Sequence, residues 1–140
     1  MKEIMQAKSI SIWIFIVPFI ALNLCLILIT QFHSFFPNHE DVLLGTIPYF
    51  DGGASISRTA RVFPTYLIFK PAMFLTSYLL IKYWIYNKKI ILNFDSNNNF
   101  VNRIIFFGIG SAILLTIHSI FLGVHFDNSL YKVFRRVVIL

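Results

Sequence analysis

Apolar residues run almost without interruption over residues 10–30 and again over 104–124, and a third apolar run, with Lys70-Pro71 near its start, covers 65–86. Each run is about 20 residues, the length at which a helix crosses a roughly 30 Å hydrocarbon core. The polar positions gather between the runs, in a leader at 1–9, a long interval at 31–64 and an Asn-rich stretch at 87–103. This pattern predicts an all-α membrane protein, a helical bundle of about three complete transmembrane helices in a single domain over 1–140. The last residues, 133–140, begin another apolar run. That run is either a truncated fourth span or a short amphipathic end lying on the membrane.

The first run has a rival reading as a secretory signal. Such a signal has an apolar core of about 7–15 residues and a small-x-small cleavage site. Here the apolar stretch is longer and ends in Thr30-Gln31-Phe32-His33, so an uncleaved span is expected. Pro18 is tolerable inside it, because a membrane-embedded helix can have its freed carbonyl satisfied by neighbours. Asn23 is its one strongly polar side chain, and an interhelical hydrogen bond is the expected use. In the second run Lys70 is close enough to the end to snorkel towards headgroups, and Tyr83, Trp84 and Tyr86 form an aromatic belt ahead of Lys88-Lys89. The third run opens with Gly108, Gly110, Ser111 and Ala112, small residues at which another helix can approach closely. His118 lies beyond its middle, with a structural hydrogen bond as the expected role.

Composition supports the membrane reading. Hydrophobic residues make up 57% of the chain and charged residues 13%, with 16 Phe and a mean hydropathy of +0.73. Soluble domains have roughly 45–50% apolar and about 25% charged residues. The net charge of +6 does not signal nucleic acid, because the cations flank the apolar runs, where anionic lipid headgroups would attract them. The single Cys25 excludes a disulfide framework and a Cys-based metal site. With three spans, Lys2, Lys8, Lys88, Lys89 and Arg103 fall on one side and Arg58, Arg61, Lys132, Arg135 and Arg136 on the other. Five against five leaves the positive-inside rule nearly silent. The cations ahead of the first span favour a cytoplasmic N-terminus and an extracytoplasmic long loop.

That loop is where chemistry is expected. A connection of this length is uncommon between packed helices unless it is functional or structured. Val42-Leu43-Leu44 and Ile47-Pro48-Tyr49-Phe50 give it apolar anchors, so it is expected to fold back on the membrane surface. Pro48 and Pro64 bracket a Gly52-Gly53 pair, and Arg58 and Arg61 stand three apart among Ser55, Ser57 and Thr59. On one helical turn the two guanidinium groups would share a face, and guanidinium pairs well with phosphate oxygens. Ser55, Ser57, Arg58, Arg61 and Lys70 are therefore the candidate lipid-headgroup residues, with anionic headgroups the expected ligand. Nonspecific contact of two surface cations with lipid is the competing reading. No nucleotide-binding P-loop is present, and no cofactor is implied. His33, His39, Glu40, Asp41 and Asp51 match no zinc spacing, so no metal is expected. His125 and Asp127 have the makings of an acid–base pair and are the only catalytic candidates.

The order of short motifs resembles the Frag/DRAM/Sfk group of polytopic membrane proteins, which includes the factor needed for lipid remodelling of GPI anchors. The residues that carry it are Ile47-Pro48, Ser55-Ile56-Ser57, the run from Phe63-Pro64 to Lys70, Tyr83-Trp84, and His125-Phe126-Asp127-Asn128. The resemblance covers about residues 10–136 and implies lipid-related membrane work rather than a defined reaction. Members have five or six spans, which implies that this chain is a fragment or a shortened relative, and Asp51-Gly52-Gly53 and Arg58-Thr59-Ala60-Arg61 depart from the group's pattern. Three functions are expected to compete. The first is a lipid-handling membrane protein without an evident catalytic centre. The second is an accessory subunit of a larger membrane complex, with partner helices on Gly108, Gly110 and Ala112. The third is a membrane-embedded hydrolase or transferase using His125 and Asp127.

Overall fold

The computed structural model describes residues 2–47, 49–50, 55–96 and 100–123, apart from the side chains of His39, Ile56 and Ser57. The expected fourth run at 133–140, the Gly52-Gly53 pair, and His125 with Asp127 lie outside the described residues. Within them the structure is helical and has no strand. Helix α1 is Lys2–Gln31, α2 is the single turn Ile56–Thr59, α3 is Tyr66–Phe94 and α4 is Phe100–Phe121. Short 3-10 turns occupy His33–Phe35 and His39–Asp41 in the long loop.

Helix α3 is the middle element, packed against α1 on one side and α4 on the other. The Cys25 thiol donates to the Thr65 carbonyl at 3.4 Å, so the end of α1 meets the start of α3 and the two run antiparallel. Lys70 Nζ donates to the Ile120 carbonyl at 3.3 Å, which makes α3 and α4 antiparallel as well. The long loop, the start of α3 and the end of α4 therefore share one end of the bundle.

The buried positions follow helical spacing. On α4 they are Val101, Ile105, Gly108, Ala112 and Ser119, three, four or seven apart, a single face turned to α3. On α1 Ala21, Cys25 and Ile29 recur every four residues. Most of these are small, which allows close backbone approach. The core lies at the loop end, where Cys25, Phe69, Met73 and Leu122 enclose Ala60. Beside it, Phe36, Val42 and Leu43 of the loop cover Ile29, and the Leu43 N–H donates to the Ile29 carbonyl. Burial stabilises such side chains by about 1.5–3 kcal/mol each, so the first half of the loop is part of the fold. The Val42-Leu43 anchor is buried, whereas Leu44, Ile47, Tyr49 and Phe50 stay exposed.

Two expectations meet the structure only in part. Among the described residues, α1 and α4 are the helices long and apolar enough to cross a membrane. Helix α3 covers the expected 65–86 span, but Lys70 and Lys82 leave it only the uncharged run 71–81, too short by itself for a crossing. Lys82 Nζ lies 4.7 Å from the Tyr78 ring centroid, so a cation–π contact holds it on its own helix. The expected polar stretch at 87–103 is also mostly helix. Helix α3 continues to Phe94 and α4 starts at Phe100, because Lys88 to Leu92 are helix-compatible residues and Val101 is already buried.

Candidate functional site

Ser55 starts the short turn that carries the arginines. Its Oγ accepts the Arg58 N–H at 3.2 Å and its carbonyl accepts the Thr59 N–H at 3.0 Å, the geometry of an N-cap. The Ser55 hydroxyl is thus used in building the turn. The helix closes at Thr59, and Arg61 follows in the next turn, its N–H donating to the Arg58 carbonyl at 3.2 Å.

Thr59, Ala60 and Thr65 are fully buried beneath the arginines. Thr65 Oγ1 donates to the Thr59 carbonyl and also lies 2.8 Å from the Val62 carbonyl. With Cys25 on its own carbonyl, Thr65 ties the arginine turn to both α1 and α3.

Arg58 and Arg61 line one open hollow of about 360 Å³, together with Asp41, Val62 and Gly123. The two arginines thus line the same hollow, although they do not share a helix. Arg58 is held from the other side by the loop, its Nη2 donating to the Glu40 carbonyl at 3.1 Å. Gly123, at φ +85, turns the chain just past α4, and a Cβ there would stand 3.2 Å from Arg61 Cγ. Glycine is the residue that takes this left-handed backbone freely after a helix. A second hollow of about 510 Å³ adjoins the first through Asp41 and is lined by Pro37, Asn38, Glu40 and Asp41. Asp41, weighed from the sequence only as a metal ligand, becomes a functional candidate in the arginine hollow. It lies 17 residues before Arg58, and only the folded loop brings them together.

Lys70 stands apart from this hollow. Besides the Ile120 carbonyl, its ammonium lies 5.7 Å from the Tyr66 ring centroid. It serves a carbonyl in the last turn of α4, one of the groups left without an intrahelical donor, and a cation there also suits the helix dipole. Ser57 is in α2, but its side chain is outside the described residues, as are His125 and Asp127.

His33 and Asn23 have structural partners. His33 Nε2 donates to the Thr30 carbonyl at 2.8 Å, and among the described residues no three His, Cys, Asp or Glu side chains gather as metal ligands. Asn23 bonds to the loop rather than to another helix, with Tyr49 Oη donating to its Oδ1 at 2.9 Å. Gly108 and Ala112 are buried inside the chain. A Cβ at Gly108 would overlap the Trp84 indole, while one at Gly110 would meet nothing within 4 Å. Gly108 is therefore covered by this chain's own α3, while Gly110 stays open. Among known proteins, no family model, no curated protein and no solved structure matches the chain.

Proposed function

We propose that the chain is a multi-pass membrane protein of lipid-handling type whose arginine hollow holds the phosphate of a lipid headgroup. The observation that carries this reading is the convergence of Arg58 and Arg61 on one hollow at the end of the bundle where α1 stops. Two guanidinium groups on one opening suit a phosphodiester. Asp41 on the same opening suits an amine, so a zwitterionic headgroup fits better than a purely anionic one. The phosphate would sit on the arginines and the ammonium on Asp41.

Exposure supports the membrane setting. A soluble protein's core helix is mostly covered, yet only 22% of the most apolar stretch of α1 and 22% of that of α4 are buried. Phe15, Phe19, Phe106 and Phe107 all stand outward. Surface of this size and character needs a lipid or protein cover. In this reading α1 and α4 cross the bilayer and α3 passes between them, with Lys82 held against the Tyr78 ring. The N-terminus would be cytoplasmic and the hollow extracytoplasmic. Kinship with the Frag/DRAM/Sfk group, suggested by short motifs such as the run from Phe63-Pro64 to Lys70, belongs to the same proposal.

Native mass spectrometry of the gently solubilised protein tests the reading. Retained phospholipid that is lost in the Arg58→Ala, Arg61→Ala double variant is the expected result. A stoichiometric protein partner, with lipid retention indifferent to both arginines, would sink it and identify a subunit of a larger complex.

A further inference from the structure

The bond between Tyr49 and Asn23 reaches unusually far down the bundle. Asn23 is eight residues before Gln31, the last residue of α1, about 12 Å along the axis at roughly 1.5 Å per residue. It lies inside the uncharged run 10–30. Its Nδ2 donates to the Phe19 carbonyl one turn back at 2.8 Å, which turns the amide oxygen towards Tyr49. The loop therefore descends along the flank of α1 instead of ending over its tip.

The descending tip is apolar and closed on itself. No charge occurs between Asp41 and Asp51. The Phe50 N–H donates to the Ile47 carbonyl at 3.2 Å, and Tyr49 takes φ 71, a backbone that a bulky side chain rarely adopts. These contacts satisfy polar groups that a lipid environment would leave unpaired. The apolar side chains point away from the protein, with Leu44 69%, Ile47 63% and Phe50 88% exposed. Phe19, Ile20 and Ile27 share the Asn23 face of α1 by helical spacing and are exposed too, so tip and helix form one continuous apolar flank.

We infer that the loop tip around Leu44, Ile47, Tyr49 and Phe50 dips into the bilayer beside α1, inserting Ile47 and Phe50 among the lipids below the headgroups. The inference rests on α1 crossing the membrane, as proposed above. Lipid is the occupant that fits, because the tip is uncharged and continues the apolar flank of a membrane-length helix. Tyrosine is also a residue favoured at the membrane interface.

Depth-resolved fluorescence quenching tests it. Phe50→Cys, Asn38→Cys and Ile113→Cys variants are labelled with an environment-sensitive dye and placed in phosphatidylcholine vesicles carrying spin-labelled acyl chains. Native Cys25 is fully buried, and the unsubstituted chain gives its background. The expected result is several-fold stronger acyl-chain quenching at position 50 than at 38, with protection from aqueous iodide. If position 50 is quenched like 38 while position 113, on the outward face of α4, is quenched by lipid, the dip is overturned and the membrane reading stands. If position 113 also escapes lipid quenching, both fail. Protection of position 50 from both quenchers would mean a protein covers the tip, which also overturns the inference.

Discussion

Thr65 and Lys70 sit five residues apart at the start of α3, and their side chains do different work. The Thr65 hydroxyl serves the Thr59 and Val62 carbonyls in a fully buried position. Replacing Thr65 by Val keeps the shape and removes the donor. Leaving a buried acceptor unpaired costs about 1–3 kcal/mol, so Thr65→Val is expected to lower resistance to denaturant in micelles by that amount. It should also weaken phospholipid retention, because the turn carrying Arg58 and Arg61 loses its anchor. Lys70 instead serves α4, where a cation near a helix end contributes about 0.3–1 kcal/mol. Lys70→Met is therefore expected to cost a little stability and leave the retained lipid in place. Loss of lipid equal to that of the double arginine variant would return Lys70 to the headgroup site. The sequence indicated the two arginines because their spacing is local. It did not indicate the role of Lys70, since that depends on how α4 returns past α3.

Between elements, the contact of α3 with α4 separates two glycines that look alike in sequence. Gly108 lies under the Trp84 indole, and Gly110 faces open space. Overpacking a tight contact costs about 1–3 kcal/mol, whereas replacing an unconstrained helical glycine by alanine gains roughly 0.5–1 kcal/mol. Unfolding curves are therefore expected to show Gly108→Ala destabilised and Gly110→Ala stabilised. Equal shifts of the same sign would mean that α4 is rotated relative to this register. Hydrophobic pattern made α1 and α4 legible as elements, because charges stop at Lys8 before the first and at Arg103 near the start of the second. Helix α3 was read with its end placed too early. Lys82, Lys88 and Lys89 resemble the end of a span, but lysine is a good helix former and the helix continues through them to Phe94.

Across the whole molecule, antiparallel packing puts Lys2 and Ser96 at one end and Asn38 and Arg58 at the other. If the bundle crosses a bilayer, Lys2→Cys and Ser96→Cys are expected to react with an impermeant maleimide from the same side, and Asn38→Cys from the opposite side. Modification of all three from one side would exclude the three-pass arrangement. The arrangement also distributes the two tryptophans unequally. Trp13 stands outward on α1 at 53% exposure, while the Trp84 ring lies against Gly108 and its buried Nε1 has no hydrogen-bond partner. The molecule thus contains two indole chromophores in different surroundings, one facing outward and one enclosed between helices. In a Trp13→Phe variant excited selectively at the red edge of indole absorption, the tryptophan emission belongs to Trp84 alone. A blue-shifted spectrum that moves to the red as α3 and α4 separate would turn that one ring into an optical gauge of the helix pair, with no added label.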